Sequence, residues 1–191
     1  MFSQDVKIDT VKLQFVPFTT ESKAIRIFDC GNKDLNDFLC KDEVREYEKE
    51  YLGSTTLVYY NGALVAYYTL YNDTLRLEYF KRNPAFSKLS EYRIEGVPAF
   101  TIGRLAVDKQ WQCKGVGRIL MQRIVMFALD HSRQTGVRLI LVQAKRDAFI
   151  FYEKLGFQFV FETKNEMKRF KARGTRTMYF DLTSLNYLKH Y

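Results

Sequence analysis

The chain is 191 residues long, 47% hydrophobic and 16% aromatic, which suits one domain over residues 1–191 with a substantial core. Its apolar runs are strand-sized, far short of the roughly 20 residues a membrane span needs, and Met1-Phe2-Ser3-Gln4-Asp5 lacks the basic-then-apolar pattern of a secretory signal. Thirty Lys and Arg against 22 Asp and Glu give a net charge of +8, which attracts polyanions without by itself specifying nucleic acid.

The three cysteines, Cys30, Cys40 and Cys113, are odd in number and lack zinc-type pairing, so no metal is expected and a reducing, cytoplasmic setting is the simplest one. Val11 to Val16 alternates and predicts a first strand stopped by Pro17. Asn32 reads as an N-cap, with Asp34 in the first turn and Leu35, Phe38 and Leu39 on one helical face; the helix continues through the charged stretch Asp42 to Glu50. Thr55 to Tyr60 and Ala63 to Leu70 flank Asn61-Gly62, the signal for a two-residue type I′ hairpin. Between Tyr71 and Pro98 periodicity is lost, and Arg76, Lys81, Arg82, Lys88 and Arg93 fall in a long irregular segment. Glu91 and Glu95 close that segment and read either as bases or as solvated loop residues.

Phe100 to Val107 suits a buried strand, with Gly103 marking an irregularity where another backbone approaches. Val116, Ile119, Leu120, Ile124, Phe127 and Ala128 then fall at helical spacing, so a helix begins near Gly115. Between them lies the turn Gln112-Cys113-Lys114-Gly115-Val116-Gly117. The first N–H groups of a helix have no intrahelical partner and carry partial positive charge, so a glycine-rich start is an anion site, strengthened here by Lys114 and Arg118. Its spacing fits neither the P-loop nor the dinucleotide fingerprint. Cys113 lies in this turn, where a helix start favours the thiolate, and reads equally as a space-filling side chain. Gly136 to Ala144 predicts a continuous apolar strand, parallel to the first and joined to it by the helix. A short helix over Asp147 to Phe157 and an antiparallel pair, Gln158 to Phe161 with Thr177 to Leu182, complete the chain. The connection of that pair, Glu162 to Arg176, reads as a hairpin loop with six basic residues against two acidic. His131 and His190 belong to no motif and read as surface residues.

The turn stands behind Gly103-Arg104-Leu105-Ala106-Val107-Asp108 and ahead of a long amphipathic helix, and Phe151-Tyr152 precedes Gly156-Phe157 at the matching distance. This combination resembles the GNAT N-acetyltransferases over Val11 to Leu182. The resemblance implies an α/β fold with a central mixed twisted sheet, flanked by helices and splayed at the acetyl-CoA strand. It implies acetyl-CoA as co-substrate, held by Gln112, Cys113, Lys114, Gly115, Val116, Gly117 and Arg118 at its pyrophosphate and by Leu105, Ala106 and Val107 along its pantetheine arm. Tyr152 becomes the general acid that protonates the departing thiolate; on packing grounds alone it is a half-buried core residue between Phe151 and Phe157. The stretch from Asp42 to Glu50 is then either a rim of the acceptor groove or a solvated helix face.

Phe28-Asp29-Cys30-Gly31 with Leu35, Phe38 and Leu39, combined with Gly103 to Asp108, resembles more narrowly the acetyltransferase toxins of bacterial toxin-antitoxin pairs. Those enzymes acetylate the α-amino group of aminoacyl-tRNA and pair with ribbon-helix-helix antitoxins. The resemblance implies that Lys168, Arg169, Lys171, Arg173 and Arg93 face tRNA and is compatible with a homodimer. The acceptor chemistry agrees, because an α-amine with a pKa of about 7.7–8.0 is far more often neutral at pH 7 than a lysine at about 10.4 and asks less of a base. Acetylation of a small amine or a protein N-terminus, and non-catalytic binding of acyl-CoA, stay open at this point.

Overall fold

The computed structural model describes residues 8–18, 23–41, 43–80, 83–160 and 163–188. Expectations placed on Met1 to Asp5, Asp42, Lys81, Arg82, Phe161, Glu162 and His190 lie outside these residues. Seven strands are ordered β1-β2-β3-β4-β5-β7-β6 in one mixed sheet. They are β1 Leu13–Pro17, β2 Ser54–Tyr60, β3 Ala63–Arg76, β4 Gly96–Val107, β5 Leu139–Lys145, β6 Gln158–Phe159 and β7 Thr175–Asp181. The helices are α1 Lys33–Cys40, α2 Glu43–Lys49, α3 Val116–Thr135, α4 Phe149–Glu153 and α5 Lys164–Arg173. The chain divides into two units, residues 1–71 with 103–124 and residues 72–102 with 125–191, and β3, β4 and α3 run through both.

In the first unit, Asn61 and Gly62 both adopt left-handed backbone, φ 50° and 80°, closing the type I′ turn between β2 and β3 as their sequence predicts. β1 pairs antiparallel with β2 from Leu13↔Tyr60 to Pro17↔Thr56. The expected start at Val11 is corrected: Thr10–Lys12 is a short 3-10 turn capped by Asp9, and Val11 stands 89% exposed. Pro17 is the last strand residue and not the stop before it, a place open to proline on a sheet edge. Asn32 caps α1 by accepting from the N–H groups of Asp34 and Leu35. The predicted continuous helix breaks at Lys41, so α2 is a separate element that buries Val44 and leaves Glu43, Arg45 and Glu46 exposed. Phe38, Leu39, Val44, Leu57, Tyr67 and Ala106 form the core here. Tyr67 stacks on Phe38, meets Phe28 edge-on, and satisfies its buried hydroxyl by donating to the Leu35 carbonyl at 2.7 Å.

The second unit corrects the long irregular segment. β3 continues to Arg76, and 3-10 turns over Leu77–Phe80 and Pro84–Glu91 lead to β4, which begins at Gly96. An aromatic cluster hides this order from any periodicity: Phe80 stacks on Phe86 at 3.9 Å, and Tyr179 meets both rings edge-on. The Arg138 guanidinium lies 4.5 Å from the Phe86 ring centre and pairs with Asp181 at 2.9 Å. β4 and β5 are parallel, as expected, from Ala99↔Leu139 to Ile102↔Val142. β5 starts at Leu139, later than read from sequence, and Gly103 to Val107 continue β4 past the end of that ladder. β7 pairs antiparallel with β5 and β6.

The expected hairpin loop from Glu162 to Arg176 is corrected too. Its described part is α5, with Thr163 as N-cap and Gly174 as a left-handed C-terminal residue at φ 66°. Among the described residues no helix is long and apolar enough to cross a membrane, and no group of three His, Cys, Asp or Glu is placed to hold a metal ion.

Candidate active site

In the first unit, β4 delivers Leu105, Ala106 and Val107, of which Ala106 is buried in the Tyr67 core while Leu105 and Val107 are half-buried. Gly103 is required by a side chain and not, as expected, by another backbone: a Cβ there would stand 2.7 Å from the Tyr71 ring. After Asp108, which caps the 3-10 turn Lys109–Trp111, the chain makes two left-handed bends, at Cys113 (φ 59°) and Gly115 (φ 85°), and enters α3 at Val116. A Cβ on Gly115 would meet nothing within 4 Å, so its backbone angle and not crowding calls for glycine. Cys113 is exposed in the turn, which removes the space-filling reading; it accepts a left-handed conformation that non-glycine residues seldom adopt.

The N–H groups of Val116, Gly117 and Arg118 open α3, whose ladder begins with Ile119 donating to the Gly115 carbonyl at 3.2 Å. No acidic residue stands in the first turn, Arg118 and Lys114 are exposed, and the Lys114 ammonium lies 5.3 Å from the Trp111 ring centre. The donor set fits a diphosphate. Gln112 contributes differently from its neighbours, because its side-chain amide donates inward to the Cys30 and Val107 carbonyls, each at 2.9 Å.

In the second unit, Tyr152 lies on α4, 6% exposed, edge-on to Phe151 at 5.1 Å and to Phe157 at 5.3 Å. Its carbonyl accepts from Leu155 and Phe157, which turns the chain into β6 around Gly156 (φ 87°). Burial pushes the phenol pKa well above its ordinary value of 10, so the group is a proton donor at neutral pH. Burial exceeds the half-buried state read from sequence.

Of the basic residues, Lys168, Lys171 and Arg173 are exposed on α5, and Arg93 is exposed at a positive φ of 26°. A surface depression of about 680 Å³ is lined by Thr163, Lys164, Met167, Lys168, Lys171 and Ala172. Arg169 turns back to the protein. Its guanidinium donates to Glu166 at 2.6 Å, to Thr177 at 2.9 Å and to Gln143 at 3.3 Å. Glu166, which sequence reading left out, is 1% exposed and also accepts from the Thr177 N–H at 3.0 Å and hydroxyl at 2.7 Å. Glu91 and Glu95 are exposed, and His131 packs half-buried on Phe127 at 3.9 Å while facing the Phe127 carbonyl through Nδ1 at 3.0 Å.

Residues 53–159 match the model of the acetyltransferase (GNAT) domain. The chain belongs to the GNAT acetyltransferase family. It is an acetyl-CoA-dependent acetyltransferase, and its sheet order and parallel β4–β5 pair are those of a GNAT fold. Among solved structures it is similar to AtaT complexed with acetyl-methionyl-tRNAfMet, with 25% identity, a TM-score of 0.76, and coverage of 93% of this chain and 99% of that one. It is also similar to AtaTR bound with acetyl-CoA, at 25% identity and TM-score 0.70, covering 94% of this chain and 99% of that one. A KacTA–DNA complex shares the fold at 24% identity and TM-score 0.64, covering 93% and 98%.

Proposed function

We propose that this acetyltransferase modifies the α-amino group of an aminoacyl-tRNA, acting as a cytoplasmic toxin that stops translation and is held in check by a ribbon-helix-helix antitoxin. One observation carries the reading: the chain aligns over nearly its whole length with an enzyme captured with an acetylated aminoacyl-tRNA. The exposed bases of α5 support it, since a polyanion gains from Lys168, Lys171 and Arg173 on one short helix. The antitoxin partner is in keeping with the structure of the similar toxin AtaT bound to the C-terminus of the antitoxin AtaR.

In this reading the backbone N–H groups of Val116 to Arg118 hold the diphosphate, and Lys114 and Arg118 add charge to that subsite. The strand Leu105 to Val107 aligns the pantetheine arm, and its N–H groups stabilise the oxygen on which negative charge grows as the amine attacks the thioester carbon. Tyr152 donates its phenolic proton, or a strong hydrogen bond, to the departing sulfur. Roughly a tenth or more of the attacking amine is neutral at pH 7, so it asks less of a base than a lysine would.

The test mixes purified protein, radiolabelled acetyl-CoA and charged or uncharged tRNA. Label on charged tRNA alone, released by mild alkali as an acetyl-amino acid, is the expected result. Equal label on uncharged tRNA, or label only on a small amine or a protein N-terminus, overturns the acceptor assignment.

A further inference from the structure

The segment Asp29 to Asn36 lies about 80 residues before the anion turn, and in the first unit its first two residues are bonded to Asp108, Lys109 and Gln112, while Gly31 and Asn36 brace those two residues. The Asp29 carboxylate accepts from Lys109 Nζ at 2.7 Å, from the Gly31 N–H at 2.8 Å and from the Asn36 amide at 2.7 Å. The Asp29 N–H donates to Asp108 Oδ2 at 3.1 Å, and the Asp29 carbonyl accepts from the Lys109 N–H at 2.9 Å. Asn36 Oδ1 in turn accepts from the Cys30 N–H at 3.0 Å, which leaves the Cys30 carbonyl facing Gln112 Nε2 at 2.9 Å. Gly31, at φ 82°, makes room for the Lys109 stem: a Cβ there would stand 2.9 Å from Lys109 Cε.

Gln112 immediately precedes the strained Cys113 bend. A left-handed non-glycine residue persists only where its surroundings over-determine it. Here α3 fixes the C-terminal side and the Gln112 side chain, bonded to both Cys30 and Val107, fixes the N-terminal side. We infer that residues 29–36 are a clasp that holds the Gln112 to Arg118 turn in its anion-accepting shape, with Gln112 as the positioning residue through which the clasp acts on acetyl-CoA affinity. This rests on the reading of that turn as the diphosphate subsite.

The test is calorimetry with CoA, together with steady-state rates using acetyl-CoA and S-acetylpantetheine, a donor without the diphosphate. Gln112→Met removes both donated hydrogen bonds at nearly constant volume and should raise the Kd for CoA and the KM for acetyl-CoA about tenfold. Its kcat/KM with S-acetylpantetheine should fall far less than that with acetyl-CoA, and its Tm should drop by no more than a few degrees. Asp29→Asn supplies the same comparison from the other side of the clasp should Gln112→Met fail to fold. Gly117→Glu is the control that tests the subsite itself. Unchanged CoA affinity in Gln112→Met while Gly117→Glu abolishes binding overturns the clasp and keeps the subsite; unchanged affinity in both overturns the subsite. Equal losses with the two donors would show general damage to the fold and also overturn the clasp.

Discussion

Each unit contains one dense polar cluster, and the two stand differently with respect to water. Around the anion turn, Asp29, Lys109 and Gln112 keep their polar atoms near solvent, and the Lys109–Asp29 and Gln112–Cys30 contacts join segments far apart in sequence. Beside α5, the Glu166 carboxylate is sealed off and has all its bonds within the protein. Exposed polar contacts contribute little net stability, because water competes for each donor and acceptor. A buried carboxylate must keep its partners, since the lone pairs and N–H groups left behind by its removal have no water to turn to. Similar chemistry therefore shapes a backbone in one place and fastens a helix in the other.

The sharpest separation of activity from stability comes from Tyr152, a buried polar side chain that serves neither cluster. Tyr152→Phe should lower kcat by roughly two to four orders of magnitude, with CoA affinity and Tm nearly unchanged; turnover near wild type would leave Tyr152 a packing residue. Because burial raises its pKa, the phenol stays protonated through neutral pH and up to at least its ordinary value near 10. The pH–kcat profile should therefore show no falling limb from this group below about pH 10.

Glu166→Ala should cost about 2–4 kcal/mol in urea unfolding, from the Thr177 N–H and the Arg169 guanidinium losing their acceptor. Gln112→Met should cost under about 1 kcal/mol in the same assay. Equal costs would abolish the contrast drawn between the clusters.

Replacing Lys168, Lys171 and Arg173 by Ala should flatten the dependence of tRNA affinity on log salt by about 2–3 in slope. Arg169→Ala, whose guanidinium is held by Glu166, should shift unfolding and leave that slope nearly as it was. A full unit of slope lost with Arg169 would make it a phosphate contact after all.

The smallest effect is a titration. The Lys109 ammonium, the Gly31 N–H and the Asn36 amide hold the Asp29 carboxyl down at about 2, so whatever it adds to stability is present above its ordinary pKa of 3.8 and lost as pH falls through 2. In carboxyl NMR, Lys109→Met should raise the Asp29 midpoint toward 3.8, with the Gly31 N–H and the Asn36 amide still holding it below that value; an unmoved midpoint would remove Lys109 from the clasp.

What the sequence made legible was local. Asn61-Gly62 and the Asn32 cap act over two or three residues and appear as read. The turn into α3 and the short helix carrying Tyr152 are legible as structure through their motifs, and the roles given to them belong to the proposed function. Helix α5 escaped notice although Thr163 and Gly174 mark its ends, because its buried position is Glu166, and a charged residue leaves no trace in an apolar period. The clasp escaped because it depends on which carbonyls Gln112 reaches across some 80 residues, and no local pattern contains that. The Phe80, Phe86 and Tyr179 cluster hid order in the same way, by packing two 3-10 turns against a strand about a hundred residues later.

The two outermost strands have a bearing on how this protein behaves at high concentration. A sheet edge exposes unpaired N–H and C=O groups onto which another chain can add a strand, the first step of edge-to-edge aggregation. Here β6 is two residues long, and β1 is five residues ending in Pro17, which has no N–H to offer. Neither edge gives an incoming strand a long run of partners, so assembly by sheet extension is disfavoured at both ends.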